Sequence, residues 1–198
     1  MAIAHGASAL GLVSAMPSGP GVISEEQIAE IAAGVPPPIA TFLLTSLQSV
    51  EAIIEQHARC RTNTLQICDR LTSGTHTELR HALPGIGLVQ VIHVMDETSV
   101  AEALTVAPHV DALLLDSGNP SLAVKELGGT GRVHDWRLSR RIRVESPKPV
   151  FLAGGLNPGN VRQAVTAVAP FGLDLCSSVR TDGHLDPAKL AAFFAAIG

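Results

Sequence analysis

The chain has 198 residues, 46% of them hydrophobic and 16% charged, with 18 acidic against 14 basic side chains. That length and apolar content suit a single domain with a sizeable core, and the slight acidic excess with no basic, aromatic-interleaved stretch argues against nucleic acid as a partner. No apolar run approaches the roughly 20 residues that cross a bilayer, and Met1 to His5 lacks the basic end and apolar centre of a secretion signal, so no membrane partner and a cytoplasmic location are expected. Cys60, Cys68 and Cys176 are too widely spaced for a disulfide framework or a zinc site, and the eight histidines form no HExxH pattern. Free thiols and no metal are expected.

In chain order, seven short apolar runs read as strands: Ala9 to Ser14, Ile39 to Leu44, Thr64 to Cys68, Leu88 to Val94, Ala112 to Asp116, Pro149 to Ala153 and Leu173 to Ser177. Segments of helical period separate them, which is the pattern of repeated strand and helix units around a parallel sheet. Ser24 with Gln27 and Ser99 with Glu102 fit capping boxes, while Asn157-Pro158 and Asp186-Pro187 fit an N-cap followed by proline in the first turn. The predicted buried helix faces carry Ile28 and Ile31, then Val50, Ile53 and Ile54, then Val161, Val165 and Val168, then Leu190, Phe193, Phe194 and Ile197. Continuous alternation of this kind leaves an open doubly wound sheet or a closed eight-stranded barrel. No GxGxxG follows the first strand, which weakens dinucleotide binding, whereas the last two strands end in small residues, where barrels often hold phosphate.

Three constellations carry candidate chemistry. Leu113-Leu114-Leu115-Asp116-Ser117-Gly118 places a carboxylate at the end of a buried strand, where desolvation favours a general acid; the alternative is an aspartate that merely starts a turn. Ahead of a helix start, Ala153-Gly154-Gly155-Leu156-Asn157-Pro158 lets backbone approach an anion closely. Leu173-Asp174-Leu175-Cys176-Ser177-Ser178 adds hydroxyls and amides, so Gly154, Gly155, Ser177 and Ser178 together read as a phosphate cradle.

The order and spacing of LLLDSG, GGTGRVHDW, PVFLAGGLNPGNV and GLDLCSSVRTDGHLDPAKLAAFF, covering roughly residues 111 to 195, closely resemble the second half of phosphoribosylanthranilate isomerases. ALGLVS, SEEQIAEIAAGVP, TLQICD and LVQVIHV extend the resemblance in outline over nearly the whole chain. It implies a (β/α)8 TIM-barrel type of fold, incomplete at the N-terminus with seven strands visible, and a cofactor-free, metal-free Amadori rearrangement of N-(5-phosphoribosyl)anthranilate in tryptophan biosynthesis. The partner is then a small phosphoribosyl substrate, and Asp116 the acid that protonates the ring oxygen. A catalytically silent phosphosugar-binding barrel and another phosphoribosyl isomerase, such as that of the histidine pathway, stay open as alternatives.

Three departures qualify the resemblance. The family's base is a first-strand cysteine in a Lys-Ile-Cys-Gly type motif that this sequence does not contain, and the expectation is a chain begun at an internal start codon or lacking its natural N-terminus. Seven strands leave two sheet edges unpaired, so a homodimer pairing those edges is one expectation. Cys68 and Cys176 are poor substitutes for the base, because cysteine usually serves as a small buried hydrophobe. The loop Met16 to Gly21 lacks the arginine that binds the anthranilate carboxylate in relatives, a charge that Arg180 or Arg132 could supply, and Ser178 stands where glycine is usual.

Overall fold

The computed structural model describes residues 1–198. Seven strands, Ala9–Val13 (β1), Ala40–Thr45 (β2), Thr64–Ile67 (β3), Gly87–His93 (β4), Ala112–Asp116 (β5), Val150–Leu152 (β6) and Gly172–Leu173 (β7), pair in chain order and all in parallel. The helices Glu25–Gly34 (α1), Val50–Cys60 (α2), His76–Ala82 (α3), Glu97–Val106 (α4), Trp136–Glu145 (α5) and Val161–Val168 (α6) connect successive strands, and Pro187–Ile197 (α7) closes the chain. A small hairpin of Arg180–Thr181 (β8) and His184–Leu185 (β9) precedes α7. Because the strand order never reverses, there is no switch point of the doubly wound kind; the sheet curls as an incomplete barrel, with no further strand beside β7 and only an isolated Val13–Val22 bridge on the outer edge of β1. No helix is long and apolar enough to cross a membrane.

Residue alternation along each strand sorts side chains between two faces. On β5, Leu113 and Leu115 point outward into a cluster of 27 buried residues that also takes in Ile28, Ile53, Leu79, Ile142 and Phe193 from the helices. Ala112 and Leu114 point inward to a cluster of seven with Val89 and Val91 of β4 and Ala153 beyond β6, against which Phe42 and Phe151 pack. Fully burying a Leu or Phe contributes about 1.5–3 kcal/mol, so the outer layer carries most of the hydrophobic stabilisation. Inward residues at the strands' C-terminal ends form the mouth of the curled sheet.

Six strands lie within one residue of the expected bounds. The seventh stops at Leu173 rather than Ser177. Its sole neighbour β6 ends at Leu152, so the ladder finishes with the Asp174 amide donating to the Leu152 carbonyl at 2.9 Å, and the chain turns into a 3-10 segment at Ser177–Val179. The Ser24–Gln27 capping box and the Asp186 cap both form. Two expected caps are corrected. Helix α4 is capped by Asp96, with Ser99 completing that box at the third helical position, since a carboxylate three residues earlier reaches the free amides first. Helix α6 starts after Asn160, because Asn157 turns its side chain onto the Gly159 amide at 2.9 Å and spends those residues on a turn. Ile31, Val165 and Ile197 are also corrected: they sit at the exposed margin of their helices, and on α6 the inner face is Val161, Ala164 and Val168.

Candidate active site

Asp116 is the last residue of β5 and faces inward by the same alternation that buries Leu114. Only 6% of it is exposed. Its Oδ1 accepts from the Ser117 amide at 2.7 Å, and a Cβ on Gly128 would lie 2.7 Å from its Oδ2, so the glycine loop after β5 passes directly against the carboxylate. The same loop carries Thr130, whose hydroxyl bonds Ser117 Oγ at 2.8 Å.

The loops after β5, β6 and β7 meet at one pocket, which Asp116 shares with Gly154, Gly155, Ser177 and Ser178. Gly154 and Gly155 both have positive φ, 81° and 62°, which only glycine adopts without strain. At Gly155 a Cβ would come within 2.7–2.8 Å of backbone atoms of Arg132 and Gly131, so the two loops touch main chain to main chain. Ser177 is exposed at the rim, whereas Ser178 Oγ is buried without a hydrogen-bond partner. Five residues singled out from the sequence are therefore brought together, on three successive strand ends.

The two arginines separate. Neither lines the pocket itself, and Arg132 is paired with Glu126 and more than half exposed. Arg180 has no carboxylate partner; its Nη1 donates to the Gly183 carbonyl at 2.6 Å, its Nε is buried without a partner, and its Nη2 would lie 3.1 Å from a Cβ on Gly21. It thus spans from β8 to the loop after β1.

The cysteines do not resemble activated thiols. Cys68 is 2% exposed, and burial followed by the nearby Asp116 charge pushes its pKa far above the usual thiol range. Cys176 lines the pocket, yet burial raises its pKa as well, outweighing the Arg180 charge. No group of three or more His, Cys, Asp or Glu side chains is placed to share a metal ion.

Two residues at this mouth were not singled out from the sequence. Asp174 lines the pocket, and burial, then the Asp116 charge, lifts its pKa to about 6. The signal was available in the alternation of Gly172, Leu173, Asp174, Leu175 and Cys176, which puts Asp174 on the same face as Asp116. His134 lies behind Gly154, its Nε2 bonded to Ser139 Oγ at 2.6 Å.

The family description N-(5'phosphoribosyl)anthranilate (PRA) isomerase matches residues 2–196. N-(5'-phosphoribosyl)anthranilate isomerase of Haloferax volcanii is 37% identical over 98% of this chain and 84% of its own length, and that of Natronomonas pharaonis is 35% identical over 100% and 90%. The crystal structure of phosphoribosyl anthranilate isomerase from Thermotoga maritima superposes with a TM-score of 0.80 at 26% identity, covering 98% of this chain and 90% of that one. The chain belongs to the N-(5'-phosphoribosyl)anthranilate isomerase family.

Proposed function

We propose that this chain binds a phosphoribosylated aromatic amine and carries out the aldose-to-ketose rearrangement of its family at the pocket between β5, β6 and β7, with Asp116 as general acid. The observation that carries this reading is the placement of Asp116 at one pocket with Gly154, Gly155, Ser177 and Ser178. The carboxylic acid gives its proton to the furanose ring oxygen as the C1–O bond breaks, leaving a protonated Schiff base. The C2 proton then passes to a carboxylate at the pocket, with Asp174 the candidate, to give an enolamine, which takes up a proton at C1 and loses that on O2 to become the 1-deoxyribulose product. Oxyanions of the phosphate are held by backbone amides freed at the two positive-φ glycines and by the serine hydroxyls. Asp174 is the second proton-exchanging group within reach, since its midpoint near pH 6 keeps both protonation states populated.

Of the two candidate arginines, Arg180 is assigned the substrate carboxylate, because its guanidinium is not spent on an acidic neighbour and it meets the loop after β1. A biosynthetic reaction of this kind fits a cytoplasmic enzyme. Self-association is proposed through the outer edges of β1 and β7, which no further strand of this chain covers.

The test is Asp116→Asn. Loss of a positioned general acid costs about 10²–10⁴-fold in turnover, while phosphate-ligand binding stays within a few-fold of the parent. Turnover undiminished in that variant would remove Asp116 from its role.

A further inference from the structure

His134 occupies an unusual position for a loop histidine. Its Nε2 meets Ser139 Oγ at 2.6 Å, and Ser139 is fully buried with no other partner for its hydroxyl. With the hydroxyl donating to Nε2 the Ser139 hydrogen is satisfied, and this arrangement calls for the neutral ring with its proton on Nδ1. That Nδ1 is buried and without a hydrogen-bond partner. Leaving a buried N–H unpaired costs about 1–3 kcal/mol, so its direction calls for explanation.

No acceptor bonds this N–H, and the polar groups that share the space at Gly154 with it belong to Asp116 and Ser117. A Cβ on Gly154 would lie 3.0 Å from His134 Nδ1, 3.1 Å from Ser117 Oγ and 3.2 Å from Asp116 Oδ1. The three polar atoms thus converge on one glycine, and only a residue without a side chain lets them do so. Two acidic groups face the imidazole, Asp116 from β5 and its own neighbour Asp135; both favour the charged ring, and burial outweighs them to leave the pKa lowered. At neutral pH the ring is mainly neutral and its Nδ1–H is available.

We propose that His134 is a positioning residue for Asp116, its Nδ1–H stabilising the carboxylate that Asp116 becomes once it has given its proton to the substrate. The inference rests on Asp116 as the acid. Ser139 sets the tautomer and Gly154 opens the space, so the sequence Gly154, His134 and Ser139 works as one unit behind the pocket. No group is consumed: the imidazole proton stays on Nδ1 and only its acceptor changes in charge.

The experiment has an arm that does not need turnover. In the 15N-labelled chain, long-range proton–nitrogen NMR should show His134 in the Nδ1–H form, and Asp116→Asn should lower its titration midpoint by several tenths of a pH unit. An Nε2–H ring or an unmoved midpoint overturns the proposal. In turnover, His134→Asn, which keeps a donor near Nδ1, should hold kcat within about threefold, while His134→Gln and His134→Phe lose about tenfold in kcat with KM unchanged, the size expected for one oriented hydrogen bond to a developing charge. Equal kcat in all three variants alongside an inactive Asp116→Asn defeats the positioning role and leaves the acid in place; full turnover in Asp116→Asn defeats both.

Discussion

The two faces of the sheet are made by the same strands and serve different ends. Outward, Leu113, Leu115, Ile92 and Leu152 join the 27-residue layer beneath the helices; inward, the apolar cluster has seven members, Ala153 among them, and Asp116 and Asp174 stand at the mouth beside it. A strand that buries leucine on one side can hold a carboxylate on the other, because the penalty of desolvating that carboxylate is spread over a sheet anchored elsewhere. Stability and chemistry are thereby separated at a spacing of one residue.

The largest effect should come from breaking the outer face. Leu113→Ala removes a fully buried side chain and is expected to cost about 2–5 kcal/mol, read from urea or thermal unfolding. Phosphate-ligand affinity measured well below the lowered transition should be unchanged, since Leu113 points away from the pocket. A parallel loss of affinity at full folding would mean that the faces are coupled.

Next in size is the charge assigned to the substrate's acid group. Arg180→Ala should raise KM by roughly 10–100-fold, the value of one charge-assisted hydrogen-bonded pair at about 1.5–3 kcal/mol, with phosphate binding nearly intact. Steady-state kinetics with inorganic phosphate as a competitive probe separates the two. A loss of phosphate affinity equal to the loss in KM would place Arg180 in the cradle instead.

How much of this was legible in the sequence follows from the kind of signal each residue gives. Strands with two partners and a full hydrophobic outer row, such as Ala112–Asp116, are marked in the chain itself; β7 is not, because its end is set by where β6 stops. Asp116 and the paired glycines could be read as a strand terminus and an anion turn, since both are local patterns. Asp174 was hidden among apolar neighbours, and its significance comes from burial at the mouth and then from the Asp116 charge on a strand two places away. His134 was equally silent: the convergence of its ring with Ser117 and Asp116 over Gly154 joins the two ends of the long loop after β5 to the loop after β6. Arg132 and Arg180 were equivalent candidates in the sequence, and it takes the Glu126 pairing of one and the approach of the other to Gly21 to distinguish them.

A pH-dependent effect follows from Asp174. Its folded pKa, about 6, lies above the ordinary 3.8, so the proton is bound more tightly by the native chain. The corresponding stability is fully present below about pH 4 and is lost as pH rises through 6, where the carboxylate must ionise in a buried setting. Asp174→Asn is neutral throughout and should therefore be more stable than the parent above pH 6, by on the order of 1–2 kcal/mol after allowing for the side chain's partial access to the mouth, and indistinguishable below pH 4. Melting curves across pH 3.5 to 8 give the difference directly, and a gain confined to acid pH would reverse the assigned sign.

The smallest effect belongs to Arg132, and it sharpens the contrast with Arg180. Its guanidinium is engaged by Glu126 at the surface, where such pairs contribute about 0–1 kcal/mol. Arg132→Ala should leave stability within that range and alter KM less than twofold. What matters at this position is the main chain, because the Arg132 carbonyl region packs against Gly155, where a Cβ would approach to 2.7 Å. Side-chain removal preserves that contact, whereas Gly155→Ala destroys it and should weaken phosphate binding even though no charge is lost. If Arg132→Ala instead mirrored Arg180→Ala, the charge recognising the substrate's acid group would have to be shared between the loops after β5 and β7.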